Sequence, residues 1–104
     1  MAYDEALAAR VRDQLQDEPG LSEKAMFGGL AFLLDGKMSV AIRGDELLVR
    51  VGAENVAAAL SEPHTRESVM GKRAMKGFIL AAPETDDELA AWVRRGVDLA
   101  RTLP

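Results

Sequence analysis

The chain contains no cysteine, a single histidine and only five aromatic residues. The missing cysteines exclude disulfides, thiolate metal centres and cysteine nucleophiles together. A small chain that needs no disulfide suits a reducing cytoplasm, the compartment expected here. With so few aromatics, the core must be aliphatic and methionine-rich. No run approaches the roughly 20 apolar residues of a membrane span. The start, Met1 to Ala6, lacks the basic and apolar regions of a secretion signal, and Ala2 stands where myristoylation needs glycine. A basic excess is also absent: 13 Lys and Arg face 17 Asp and Glu, a net charge of −4 and a pI of about 5.0. Such a chain does not coat nucleic acid through its overall field, although a local patch could still do so.

The 104 residues, 48% of them hydrophobic, suit one domain spanning residues 1–104. A domain this size buries about 65% of its unfolded surface, enough for a modest core. Asp4 to Gln16 reads as a helix, with Tyr3, Leu7, Val11 and Leu15 on one stripe, stopped by Pro19-Gly20. Three strands follow, at about Lys24 to Leu34, Lys37 to Ile42 and Glu46 to Val51. The first lacks strict alternation, as expected of a strand buried on both faces or bent at Gly28-Gly29. Asp35-Gly36 makes the turn to the second strand, because this pair tolerates the positive φ of tight hairpins. Arg43-Gly44-Asp45 makes the next turn.

A short helix, about Glu54 to Leu60, leads through the loop Ser61 to His64. A second strand pair is then expected at Ser68 to Met75 and Phe78 to Ala82, with Gly77 as the turn. Thr85-Asp86-Asp87-Glu88 is a capping box, with Thr85 as N-cap and Glu88 reaching back to it. The helix it opens carries Leu89, Trp92, Val93, Gly96, Val97, Ala100 and Leu103 along one apolar face. The order α-β-β-β-α-β-β-α predicts an α+β fold of two layers: a five-stranded antiparallel sheet with helices on one face. Ala41, Leu48 and parts of the first strand leave apolar residues for the other face, which favours a dimer or a partner.

Few residues carry chemistry. Gly28-Gly29 lies inside an apolar strand and not at the strand-to-helix turn that cradles phosphate, so its expected role is a bulge or a close backbone approach. His64 has no second histidine and no orienting partner identifiable in sequence, and is expected as an exposed loop residue. Asp86, Asp87 and Glu88 are explained by capping and the helix dipole. Met26, Met38, Met70 and Met75 are read as core filling, with an adaptable binding face as the alternative. One patch stands out. Arg66, Lys72, Arg73 and Lys76 face only Glu67 between His64 and Leu80, an excess of positive charge in an acidic chain. It is a candidate contact for phosphate or an acidic protein surface, although edge-strand charges that block aggregation are the favoured reading.

Met26-Phe27-Gly28-Gly29, Phe32 and Asp35-Gly36-Lys37-Met38 resemble the signature of the TfoX/Sxy N-terminal domain family, in which an MFGG strand runs into a DGKMFA hairpin. Gly71-Lys72-Arg73-Ala74-Met75, Phe78 and the closing helix with Trp92 are consistent with the family's second half. Ser39 departs from the pattern, where an aromatic is frequent. The resemblance implies a two-layer α/β domain with a five-stranded antiparallel sheet, in a family named for regulators of bacterial competence. It marks no catalytic residue, metal or cofactor. The expected function is therefore a small regulatory or protein-interaction module with an unidentified protein partner, a homodimer being one form. A nucleic-acid module using the basic patch is the alternative. A methyltransferase-like enzyme ranks last, because no Gly-rich strand-to-helix loop is present.

Overall fold

In the computed structural model, described over residues 3–26, 28–70 and 73–103, three helices and six strands form an α+β fold. Helix α1 (Glu5–Leu15) is followed by β1 (Leu21–Met26), β2 (Gly29–Leu34), β3 (Lys37–Arg43) and β4 (Glu46–Arg50). A short 3₁₀ turn leads into α2 (Val56–Leu60). The chain ends with β5 (Thr65–Met70), β6 (Arg73–Ala81) and α3 (Asp86–Thr102). The sheet is antiparallel throughout, with strand order β1-β2-β3-β4-β6-β5.

Six strands replace the five expected because the segment read as one bent strand is a hairpin. Met26 pairs with Gly29, and β1 returns alongside β2 over its full length. Its weak alternation has a simple cause: β2 is buried on nearly every residue, whereas β1 is an edge strand exposed on most. Phe27 lies outside the described residues. The later pair also differs from expectation. β5 begins at Thr65, and Gly77 lies within β6, where its carbonyl accepts the N–H groups of Val51 and Gly52. Ser68 on β5 faces the longer stretch Met75 to Phe78 on β6, so the alternation that sets register is broken there. Asp35 and Gly36 both have positive φ, as the tight turn between β2 and β3 requires.

All three helices contribute to one core. Leu7, Val11 and Leu15 of α1, Ala59 of α2, and Leu89, Trp92, Val93 and Val97 of α3 meet Phe32, Val40, Ile42, Leu47, Val49 and Ile79 of the sheet. The seat of α3 is tight. A Cβ on Gly96 would lie 2.6 Å from the Ser39 carbonyl oxygen and 2.6 Å from Val40 Cγ1. Ser39 sits at a bulge between β2 and β3, fully buried, and its hydroxyl donates to the Phe32 carbonyl at 3.0 Å. A small polar residue therefore fits where the family pattern often has an aromatic. Gly29 allows a second close approach, since a Cβ there would fall 1.8 Å from the Ile42 carbonyl oxygen.

At α3's start, the Thr85 hydroxyl accepts the Glu88 N–H at 3.1 Å, as a capping box predicts. The Glu88 carboxylate, expected on Thr85, reaches one residue further and accepts the Glu84 N–H at 3.0 Å.

An exposed helical glycine gains about 1 kcal/mol on replacement by alanine. At Gly96 the clash should outweigh that gain, and overpacking of this kind costs about 1–3 kcal/mol. Gly96→Ala should therefore lower the urea midpoint, and Thr85→Ala should cost about 1 kcal/mol. A Gly96→Ala variant more stable than wild type would show that α3 does not bear on β3 here.

Candidate binding face

Residues paired across neighbouring strands point to the same side of a sheet. Two adjacent register rows cross all six strands. One runs Glu23, Phe32, Val40, Val49, Ile79, Glu67, and the other Lys24, Ala31, Ala41, Leu48, Leu80, Arg66. The apolar members of the first row lie in the core under the helices, and its ends are acidic. Those of the second form a separate cluster on the opposite face, and its ends are basic. Ala41 and Leu48 thus lie on the face opposite the helices, as their alternation suggests.

This outer face is apolar in the middle and cationic around it. Ala31, Ala41, Leu48 and Leu80 are buried, with Met26, Leu33 and Phe78 half-buried against them. Met26, Leu33, Met38 and Phe78, with Gly36, Lys37, Arg50 and Leu103 just past α3, line an open trough of about 500 Å³ at the β2–β3 turn end of the face. Met26 and Met38 therefore serve this face rather than the main core; the side chains of Met70 and Met75 lie outside the described set. The Arg50 guanidinium stands 5.6 Å over the Phe78 ring, a cation–π distance. Arg43 Nη1 is buried with no hydrogen-bond partner.

The two faces differ in what their cations do. Every arginine of α1 and α3 is neutralised: Arg10 by Asp86, Arg12 by Glu23, Arg94 by Glu18 and Asp98, Arg95 by Glu62, and Arg101 by Glu18 and Asp35. Glu23 holds Arg12 well above the usual guanidinium range, and Arg12 in turn lowers Glu23. Among the described cations of the outer face, only Arg66 is paired. Its two-pronged contact with Glu46 raises its pKa. Among the described residues, Lys24, Lys37, Arg43, Arg50 and Lys76 have no carboxylate partner. Lys37 pairs with Leu34 of the helix-side core and reaches the trough from its end.

The basic patch singled out in the sequence is only partly brought together. Arg66 is neutralised by Glu46, and Lys76 is exposed on β6. Lys72 and the Arg73 side chain lie outside the described residues. Arg73 pairs with Met70, four residues from Arg66 along β5, about 13 Å at the usual strand rise. Of the hairpin signature, Gly29 is structural, Asp35 and Gly36 form the turn, and Met26, Lys37 and Met38 line the trough. Gly28 has positive φ and belongs to the turn between β1 and β2, so the glycine pair joins two strands and the close approach is to the β3 backbone.

His64 is an exposed loop residue, as expected, and has two carboxylate neighbours that are distant in sequence. Its Nε2 lies 3.0 Å from Glu84 and its Nδ1 3.3 Å from Glu88, so it clamps the β5 side of the fold to the start of α3. The Glu88 carboxyl is held below its ordinary range, first by the Glu84 N–H and then by His64. A second groove, about 550 Å³, lies between α2 and α3 beside Asn55, Ala58 and Leu99. Its arginine, Arg95, is taken by Glu62 and by the Trp92 ring at 4.4 Å. Among the described residues there is no group of three or more His, Cys, Asp or Glu able to hold a metal, and no helix is long and apolar enough to cross a membrane.

These features define a small α+β domain with a neutralised helix layer and an outer sheet face whose buried apolar centre is packed against half-buried Met26, Leu33 and Phe78 and bordered by cations. The family model of the TfoX N-terminal domain matches residues 13–100, and the chain belongs to that family. No curated protein and no solved structure matches it.

Because Glu88 and Glu23 have lower pKa values folded than unfolded, their contribution is complete above the ordinary value of 4.5. It is lost as pH falls below that value through the lowered ones. Glu88→Gln and Glu23→Gln should each flatten the fall in urea stability between pH 5 and about pH 3. An unchanged slope in both would contradict the assigned contacts.

Proposed function

We propose that this TfoX-like domain is a non-catalytic protein-interaction module that binds its partner through the outer face of the sheet. The observation that carries this reading is the contrast between faces: the helix layer spends its arginines internally, while among the described residues the sheet face keeps Lys24, Arg43 and Arg50 unpaired, with Lys37 at the trough's end, around half-buried Met26, Leu33 and Phe78. Interfaces combine apolar centres with charged rims in this way. The sole histidine has both ring nitrogens facing carboxylates, which suits a clamp better than a general base. A regulatory role in competence or transcription, in a bacterial cytoplasm, is the finer form of the same proposal, supported by the family's name.

A nucleic-acid role through Arg66, Lys72, Arg73 and Lys76 is the weaker reading, since Glu46 already occupies Arg66 and the chain is acidic overall. Capture from a nuclease-treated native lysate distinguishes the two. A protein partner should be retained by wild type and by the helix-face variant Asp13→Lys, and lost with Lys24→Glu/Lys37→Glu. Equal recovery by both variants would remove the outer face from the account. Material that disappears with nuclease would favour nucleic acid, whose affinity should fall steeply with salt.

A further inference from the structure

The outer face also specifies the chemistry of what it binds. We propose that its occupant is an acidic amphipathic helix of a partner protein, laying apolar side chains into the trough and carboxylates against Lys24, Lys37, Arg43 and Arg50. This rests on the reading of the outer face as the binding surface.

Charge complementarity gives the sign. Among the described residues, unpaired Lys24, Arg43 and Arg50 border the apolar cluster with Lys37 at the trough's end, and Glu46, an acid on this face, is already engaged by Arg66. A basic or neutral partner would leave these cations desolvated without compensation, which costs affinity, whereas an acidic one pairs them. Arg43 Nη1, buried and without a partner, is a donor that an incoming carboxylate near the β3–β4 end would satisfy.

Backbone accounting gives the shape. A sheet uses its N–H and C=O groups in the sheet plane, so its face offers side chains only. A strand or an irregular segment lying flat over an apolar floor would bury backbone groups with nothing to pair them. A helix satisfies its own and presents an apolar stripe flanked by charge, as in other helix-in-groove contacts. The trough supplies complementary surface: Met26 and Met38 are adaptable, Leu33 is half-buried, and Phe78 is held by Arg50. Nucleic acid fits less well, because among the described residues the face has one half-buried aromatic, Phe78, and Arg50 already covers it.

The test is a titration of the isotope-labelled full chain with synthetic peptides of about 16 residues, long enough to hold a helix on binding. The peptides are a Glu/Leu amphipathic sequence, its Lys/Leu counterpart and a Glu/Ser sequence without an apolar stripe; a single-stranded oligonucleotide is the fourth probe. The Glu/Leu peptide should bind saturably, shifting amides of Leu33, Met38, Arg50 and Phe78 rather than those of α1. Lys24→Gln/Lys37→Gln should weaken it roughly tenfold, and raising salt from about 50 to about 500 mM should weaken it further.

Equal binding of the Lys/Leu peptide to the same residues would overturn the acidic assignment while leaving the binding face intact. Equal binding of the Glu/Ser peptide would overturn the amphipathic one. Binding of the oligonucleotide alone would overturn the proposal in favour of nucleic acid. If no probe shifts these residues the proposal fails, and capture of a protein from lysate, sensitive to Lys24→Glu/Lys37→Glu, would show whether the face still binds by another chemistry.

Discussion

Helix α3 lies against β3 at a point where only glycine leaves room. The carbonyl of Ser39 and the Val40 side chain occupy the space a Cβ at residue 96 would need. Much follows from that contact. It sets the height of the helix layer over Phe32, Val40 and Val49, and so the thickness of the main core. It also brings Arg94, Arg95 and Arg101 within reach of Glu18, Glu62 and Asp35, on elements far apart in sequence. Individually such exposed pairs contribute at most about 1 kcal/mol. Their larger effect is on the surface field: the helix layer has little positive charge left to offer, and the sheet's other face keeps its own.

Alternation along the strands makes that division physical. A strand sends successive residues to opposite faces, so Glu23 and Lys24 diverge, as do Glu67 and Arg66. Pairing across six strands lines these up into an acid-ended row under the helices and a base-ended row on the outside. A chain with net charge −4 can in this way carry a cationic face without any long basic run.

Much of this was legible in the residues. The two long helices, their apolar faces, the Thr85 cap and the Asp35-Gly36 turn follow from short-range rules and appear where those rules put them. Ala41 and Leu48 were legible as outer-face residues because β4 and the second half of β3 alternate; Met38 was not, because the bulge at Ser39 puts it on the face opposite Val40 and Ile42. The extra strand was hidden because β1 is an exposed edge, whose sequence Leu21 to Met26 has no buried face to announce it. The β5–β6 register was hidden because Gly77, a turn residue by type, stands inside a strand against the Val51–Gly52 backbone. The site was harder still. A compact basic stretch at 66–76 draws attention, yet Glu46, distant in sequence, cancels Arg66. The unpaired cations Lys24, Arg43 and Arg50 lie on three separate strands, and only the sheet register places them on one side.

The most direct test of this division is solvent paramagnetic relaxation, measured with an anionic and a cationic nitroxide co-solute in turn. Taking the ratio of the two effects at each amide cancels burial depth and leaves local potential. The ratio should favour the anionic probe at Lys24, Met38, Arg50 and Phe78, and the cationic probe at Asp13, Asp86 and Asp87. A ratio of the same sign on both faces would contradict the account.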